Sequence, residues 1–192
     1  MARPPVAHDK ILAAARQIVE RDGAGALTFD ELVKESGITR GGITYHFPTK
    51  EDLLRGLLEA DFRKWDASEA ALTPRDCDPE TARLLGFIRT LTAQDESHRR
   101  FLCGMLSAAT LDPSLMDPCR QELRERLGRK QWSDRDLRLH LVHLAAEGLM
   151  WQELFQMYSM PAPARARLVA LMESLARQWG AGQAPKKIAK EA

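Results

Sequence analysis

Cysteine is scarce in this chain. Cys77, Cys103 and Cys119 are the only three in 192 residues. Their number is odd and no two form a C-x-x-C pair, which excludes a disulfide framework and a zinc knuckle. Aromatics amount to 6%, with two Tyr and six Phe, and no run of β-branched residues alternates with polar ones. That excludes the sandwich and barrel classes. No apolar stretch is long enough to cross a bilayer, for which about 18 residues are needed. Met1 to His8 lacks the apolar centre of a secretory signal. These absences predict a cytoplasmic protein with reduced thiols. An excess of one charge is missing too: 28 Lys and Arg face 27 Asp and Glu, for a net +1. Residues 1–55 hold eight of each sign. A chain-wide basic footprint for nucleic acid is therefore excluded, and any such argument must be local. Catalytic signatures are also absent. The sequence has no G-x-S-x-G, P-loop, G-x-G-x-x-G or H-E-x-x-H, and no E-x-x-H pair for a di-iron bundle. The expectation is a non-enzyme with no cofactor and no metal.

What the chain does have is Ala, Leu, Arg and Glu, all strong helix formers. An all-α fold of about nine helices is predicted. The first runs from about Ala7 to Arg21, with Ile11, Ala14, Ala15 and Ile18 on one face. The second spans Phe29 to Ser36. Thr28 and Glu31 have capping-box spacing, and Leu27 and Leu32 that of a hydrophobic staple. Gly37 ends it, and Thr39 caps a third helix reaching about His46. Two short helices joined by a glycine-containing connection have the spacing of a helix-turn-helix. Thr49 to Asp52 starts a fourth helix to about Glu69, and Asp78-Pro79 a fifth to about Thr92. The sixth covers about Glu96 to Ala109 and the seventh about Pro113 to Leu127, with an interruption at Pro118. The eighth is the longest, from Ser133-Asp134 to about Ser159. It carries two apolar stripes, one along Leu137, Leu141, Leu144, Gly148, Trp151 and Phe155, the other along Leu139, Val142, Ala146, Leu149 and Met150. A helix apolar on two sides is expected to be buried on two sides. The ninth runs from Ala164 to Trp179, and 181–192 reads as a flexible tail.

The local argument for nucleic acid lies between Ser36 and Lys50. No carboxylate falls there, while Arg40 and Lys50 are basic and Thr39, Thr44 and Tyr45 can hydrogen-bond. A surface facing phosphates needs this freedom from repelling acids. Gly41 and Gly42 disfavour so short a helix by about 1 kcal/mol each relative to alanine. Bare backbone there suits either close packing on the preceding helix or close approach to a groove wall. A capped helix pair with a glycine turn also occurs in proteins that bind no DNA.

Residues 23–32 (GAGALTFDEL), 36–47 (SGITRGGITYHF) and 48–54 (PTKEDLL), read in order, resemble the TetR family of bacterial transcription regulators. The resemblance covers about residues 8 to 58. It implies a helix-turn-helix head at 1–50 and a helical body at 51–180 that dimerises through its last two helices and holds a small-molecule pocket. It implies phosphate contacts for Thr28 and Lys50, and groove contacts for Thr39, Arg40 and Gly41. Thr44, Tyr45 and His46 would reach bases or backbone. Many members have Tyr where Thr44 stands, and here Tyr45 follows, which leaves open which of the two meets phosphate. Arg40 suits a bidentate guanine contact. Ile43 and Phe47 read as core. The function so implied is a homodimeric regulator, a repressor, that binds a palindromic double-stranded operator and is released by an effector through the fourth helix. The alternative is a DNA-binding adaptor controlled by a protein partner.

The body is rich in Met and Trp, side chains that suit an adaptable pocket for an apolar or amphipathic ligand. Phe62, Phe87, Phe101, Met105, Trp151 and Phe155 are candidate effector contacts. His140, His143 and Glu147 share one helical face and suit a metal or a polar effector. Histidines lining a pocket or a dimer seam account for the same spacing, so His143 and Glu147 join the effector candidates and no metal is expected.

Overall fold

The structure, a computed structural model, describes residues 6–182. Residues 183–192 of the expected tail lie outside the described residues. Nine α-helices and two short 3-10 turns make up the described residues, without a strand. In chain order they are α1 (Val6–Asp22), α2 (Phe29–Ser36), α3 (Arg40–His46), α4 (Lys50–Leu72), α5 (Pro79–Thr92), α6 (Glu96–Leu111), α7 (Asp117–Gly128), α8 (Asp134–Leu154) and α9 (Ala162–Gly180). The 3-10 turns are Ala24–Ala26 and Pro113–Met116.

Local chemistry explains most boundaries. Asp78 accepts a hydrogen bond from the Thr81 N–H at 3.2 Å, with Pro79 in the first turn of α5. Thr49 and Asp52 cap each other reciprocally at the start of α4, and so do Ser133 and Asp136 at α8. At α2 the expected box is half formed. Thr28 accepts from the Glu31 N–H at 3.2 Å, but the Glu31 carboxylate turns to Lys34 at 2.6 Å. The seventh segment breaks earlier than expected, between Met116 and Asp117, so Pro118 sits in the first turn of α7, where its missing N–H is harmless.

Helix α8 ends at Leu154, five residues before the expected stop at Ser159. Gln156 adopts φ 51°, the Met157 N–H bonds the Gln152 carbonyl at 3.0 Å, and the Gln156 N–H bonds the Glu153 carbonyl at 3.2 Å. This is a Schellman closure built on a residue other than glycine, so no glycine marks it in the sequence.

The chain packs as two compact units. The first comprises residues up to Trp65 together with 94–125. Its core joins Ile11, Ala15, Ile18, Leu32, Ile43, Leu53, Leu57, Phe101 and Met105. Helix α6 belongs here because Gly104 lies flush against α1: a Cβ at Gly104 would sit 2.6 Å from Val19 Cγ1. The division read from the sequence at residue 50 follows the motif, whereas this unit follows the packing. A polar network also ties α1, α4 and α6. Arg16 donates to Asp61 at 2.7 Å and to Glu20 at 2.6 Å, and Ser97 donates to Glu20 at 2.7 Å. The Arg16 guanidinium lies 4.1 Å from the centre of the Phe101 ring. Asp61 is 7% exposed. Burial works against its charge, but hydrogen bonds from His98 and Arg16 together outweigh it and hold the carboxyl below its ordinary range.

The second unit comprises residues 66–93 and those from Arg126 onward. Its interior holds Leu85, Ile88, Leu139, Val142, Ala146, Leu149, Met172 and Ala176. Arg89 grips Glu173 through two hydrogen bonds of 3.0 and 2.8 Å. The expectation for α8 is met on one side only. Leu139, Val142, Ala146 and Leu149 are buried, whereas Leu137, Leu141 and Leu144 are 52%, 59% and 49% exposed. Trp151 and Phe155, also exposed, stack on each other with ring centres 5.8 Å apart. Within the described residues nothing covers this second stripe.

Candidate nucleic-acid interface

Helices α2 and α3 form a helix-turn-helix whose turn depends on one residue. Gly37 takes φ 65°, a left-handed conformation that glycine adopts without steric penalty, and its N–H closes α2 on the Val33 carbonyl. Ser36, buried, donates to the Leu32 carbonyl at 2.5 Å and accepts from the Ile38 N–H at 3.1 Å, so the chain reverses with its polar groups satisfied. Thr39 then caps α3 by accepting from the Gly42 N–H at 3.2 Å.

Which side of α3 faces outward follows from its anchors. Ile43 and Phe47 are buried, as read from the sequence. Thr39, Arg40, Gly41 and Tyr45 consequently stand outside, and Tyr45 is 84% exposed. Thr44 and His46 are half-buried. Thr44 Oγ1 donates to the Arg40 carbonyl at 3.1 Å, which turns its hydroxyl back onto the helix. The His46 ring lies edge-on to Tyr45 and 6.0 Å from His8 of α1.

The two glycines of α3 differ. A Cβ at Gly42 would meet Ile38 Cγ2 at 2.9 Å, so Gly42 is needed for packing against the turn. A Cβ at Gly41 would meet nothing within 4 Å. No contact among the described residues explains the bareness of Gly41.

Arg40, the central candidate, has a 62% exposed side chain. It is not free: it donates to Asp30 at 2.7 Å and lies 5.5 Å from the centre of the Phe29 ring. Asp30 and Phe29 open α2, ten and eleven residues earlier in the sequence. Sequence reading assigned Asp30 no role. Lys50 donates to the Gly25 carbonyl at 3.3 Å. A shallow cavity gathers Thr28, Phe29, Asp30, Arg40 and Lys50. Thr28 and Lys50, 22 residues apart in sequence, thus line one concavity at the start of α2, where unpaired backbone N–H groups suit a phosphate oxygen.

The effector candidates are not gathered in one place. Phe101 and Met105 are buried in the core of the first unit, and Phe62 packs against that core. Phe87, His143 and Glu147 come together in the second unit. The Phe87 and His143 rings are 4.2 Å apart, and His143 Nε2 is 3.2 Å from Glu147 Oε1. That hydrogen bond holds the Glu147 carboxyl below its ordinary range. Trp151 and Phe155 lie on the exposed face of α8. No group of three or more potential metal ligands occurs among the described residues. No helix among them is long and apolar enough to cross a membrane.

Comparisons with known proteins agree with this geometry. The family model for bacterial regulatory proteins of the tetR family matches residues 11–57, and that for the tetracyclin repressor-like C-terminal domain matches residues 81–177. The HTH-type transcriptional regulator QacR of Staphylococcus aureus is 40% identical over 57 residues, 30% of either chain. The chain spans 30% to 66% of the lengths of the curated relatives it matches. Among solved structures, a transcriptional regulator from Rhodococcus sp. superposes with a TM-score of 0.64 at 20% identity, covering 91% of this chain and 96% of that one. The multidrug binding protein EbrR in complex with ethidium superposes at 0.61 and 19% identity, covering 90% and 99%. The matched segments include the helix-turn-helix and half of the chain beyond it, and the chain belongs to the TetR family of DNA-binding transcription regulators.

Proposed function

We propose that this regulator is a homodimeric repressor that reads a palindromic operator through α3 and is released by a small molecule held in its second unit. The observation that carries the DNA reading is the outer face of α3. It has no carboxylate, it presents Arg40 and Tyr45, and it is bare at Gly41, where nothing among the described residues fills the space. A duplex wall at Gly41 accounts for a glycine that helix formation disfavours. Arg40 exchanges Asp30 for the O6 and N7 of a guanine, since both partners accept from the same guanidinium fork. Thr39, Thr44, Tyr45 and His46 face the groove or its rim, and Thr28 and Lys50 clamp a phosphate at the start of α2. Thr44 turns its hydroxyl onto its own helix, which favours Tyr45 for the neighbouring phosphate.

The dimer reading is supported by the uncovered stripe Leu137, Leu141, Leu144, Trp151 and Phe155 on α8 and by exposed Leu171 on α9. An apolar stripe of this length is expected to be covered by a second copy. Two heads held in fixed spacing then require a two-fold operator with half-sites about one helical turn apart, or a multiple of it. The effector reading is supported by a half-open cavity of about 510 Å³ in the second unit, the size of a drug-like ligand site. It is supported also by EbrR, a fold neighbour with ethidium bound. Residues 1–50 act as reader and 51–180 as sensor and dimeriser. Helix α4, whose residues belong to both units, carries the coupling, and the effector must prefer the released state by a few kcal/mol.

The test is selection of genomic fragments by the purified protein, then titration of Arg40→Ala and Asp30→Asn on the selected site and on random DNA. Arg40→Ala is expected to weaken the selected site by about 1–3 kcal/mol and to relax its base preference. Asp30→Asn is expected to retain that preference. An equal loss on both DNAs for Arg40→Ala would make Arg40 a phosphate contact. Selection of no sequence at all would overturn the reading.

A further inference from the structure

The cavity of the second unit has a charge pattern from which the chemistry of its occupant follows. It is walled by α5, by the segment leaving α7 and by α8, and the end of α4 reaches it at Glu69. Leu84, Phe87 and Leu139 supply an apolar side. Facing it are the cations Arg83, Arg126, Arg129 and Lys130, with the imidazoles of His140 and His143.

Three carboxylates also line the space, but each is engaged. Glu69 is 3.6 Å from Arg83. Glu80 pairs with both Lys130 and Arg135. Asp136 takes the Ser133 backbone N–H at 2.9 Å and its hydroxyl at 2.7 Å, with Lys130 at 3.6 Å. Arg126 and Arg129 have no carboxylate within 4.0 Å among the described residues. The Arg126 guanidinium bonds a ring nitrogen, His143 Nε2, at 3.1 Å. That nitrogen also lies 3.2 Å from Glu147, so it serves one neighbour at a time: unprotonated it accepts from Arg126, protonated it donates to Glu147. An acceptor arriving at Arg126 leaves His143 free for Glu147. Burial first, then the fields of His143, Lys130 and Arg126, lower the basicity of His140, as a positive local potential must.

The geometry points to an aromatic organic anion, a carboxylate on a ring system, as the occupant of this cavity. The carboxylate is received by Arg126, whose fork can take both oxygens, with Arg129 beside it, and the ring lies against Phe87 and the two imidazoles. A lipophilic cation, such as the ethidium carried by EbrR, meets here the guanidiniums of Arg126 and Arg129, which no carboxylate neutralises within 4.0 Å among the described residues, while the lining carboxylates are already held by Arg83, Lys130 and Arg135. This inference rests on the reading of the second unit as the sensor and supplies its ligand class.

The experiment uses the full chain, calorimetry and three matched probes: 2-naphthoate, its neutral isostere 2-naphthamide, and ethidium. The acid and the amide are also added to the complex with the selected operator fragment; ethidium, which intercalates into duplex DNA, is tested on the free protein alone. We expect 2-naphthoate to bind at least about tenfold more tightly than 2-naphthamide, the scale of one charge-assisted contact, and ethidium more weakly than either. Arg126→Met is expected to bring 2-naphthoate to the level of 2-naphthamide without moving the latter. Arg126→Lys, which keeps the charge and loses the fork, falls between them. The variants' unamplified circular dichroism and melting curves report folding. Equal binding of acid and amide, preference for ethidium, no binding of 2-naphthoate, or a preference that survives Arg126→Met would each overturn the inference. If 2-naphthoate binds as expected and operator affinity does not move, the cavity chemistry stands and the sensor reading fails. If 2-naphthamide alone binds and releases the operator, the sensor reading stands and the anion inference fails.

Discussion

Gly41→Ala separates stability from DNA binding by sign. Gly41 sits inside a seven-residue helix, without positive φ, and a Cβ built there meets nothing within 4 Å. Alanine therefore introduces no clash and removes the entropic disadvantage of glycine, a gain of about 0.8–1 kcal/mol. For a chain of this size that raises Tm by about 2–4 °C. In the complex the same methyl group enters the space assigned to the duplex wall. The loss should be on the scale of one spoiled base contact, about 1–3 kcal/mol for each half-site. Gly42→Ala is the internal control: its methyl would meet Ile38 Cγ2 at 2.9 Å and Thr39 Oγ1 at 3.3 Å. Overpacking of this kind costs about 1–3 kcal/mol and offsets the propensity gain. Thermal denaturation with fluorescence anisotropy on the selected operator reads both quantities. A more stable Gly41→Ala protein with unchanged operator affinity would refute the placement of Gly41 against DNA. A less stable one would refute the open space around it.

Two further outcomes follow from the geometry. Asp61→Asn removes the carboxylate that Arg16 and His98 share, while Glu20 still holds Arg16 at 2.6 Å; guanidinium denaturation at pH 7 should show a loss of about 2–3 kcal/mol. Because the folded-state pKa of Asp61 is depressed below its ordinary 3.8, its contribution is complete above that value and disappears as pH falls through the folded one. The gap between wild type and variant should therefore close in acid below pH 4, roughly, and a gap independent of pH would contradict the network. Leu141→Glu places a carboxylate in the middle of the uncovered α8 stripe. Sedimentation equilibrium should show dimer association at least about a hundredfold weaker, from two lost leucines at about 1.5–3 kcal/mol each; an unaltered dimer would mean that another face pairs the copies.

Much of the outer face of α3 was legible in residue order, because its determinants are local. Thr39 caps the helix that begins one residue later, Gly37 supplies the left-handed turn, and the alternation of Ile43 and Phe47 with Arg40, Thr44 and Tyr45 turns one side outward. The effector candidates fared differently. Phe101 and Phe87 both read as apolar aromatics on amphipathic helices, yet one is fully buried beneath Arg16 in the first unit and the other lines a cavity in the second. Periodicity tells which face of a helix is apolar and not which neighbour covers it. The same holds for α8: both stripes were evident, but that only one finds cover among the described residues was not.

The amino-acid order alone determined which segments are helical, most of their N-caps and the helix-turn-helix, since each depends on bonds between residues three or four positions apart; it did not determine where α8 stops. Tertiary structure alone decided that Asp30 holds Arg40 and that cations from α5 and from the end of α7 converge on two histidines of α8. Those partners lie ten to sixty residues apart, roughly, and only the closure of the intervening chain brings their charges within reach of one another.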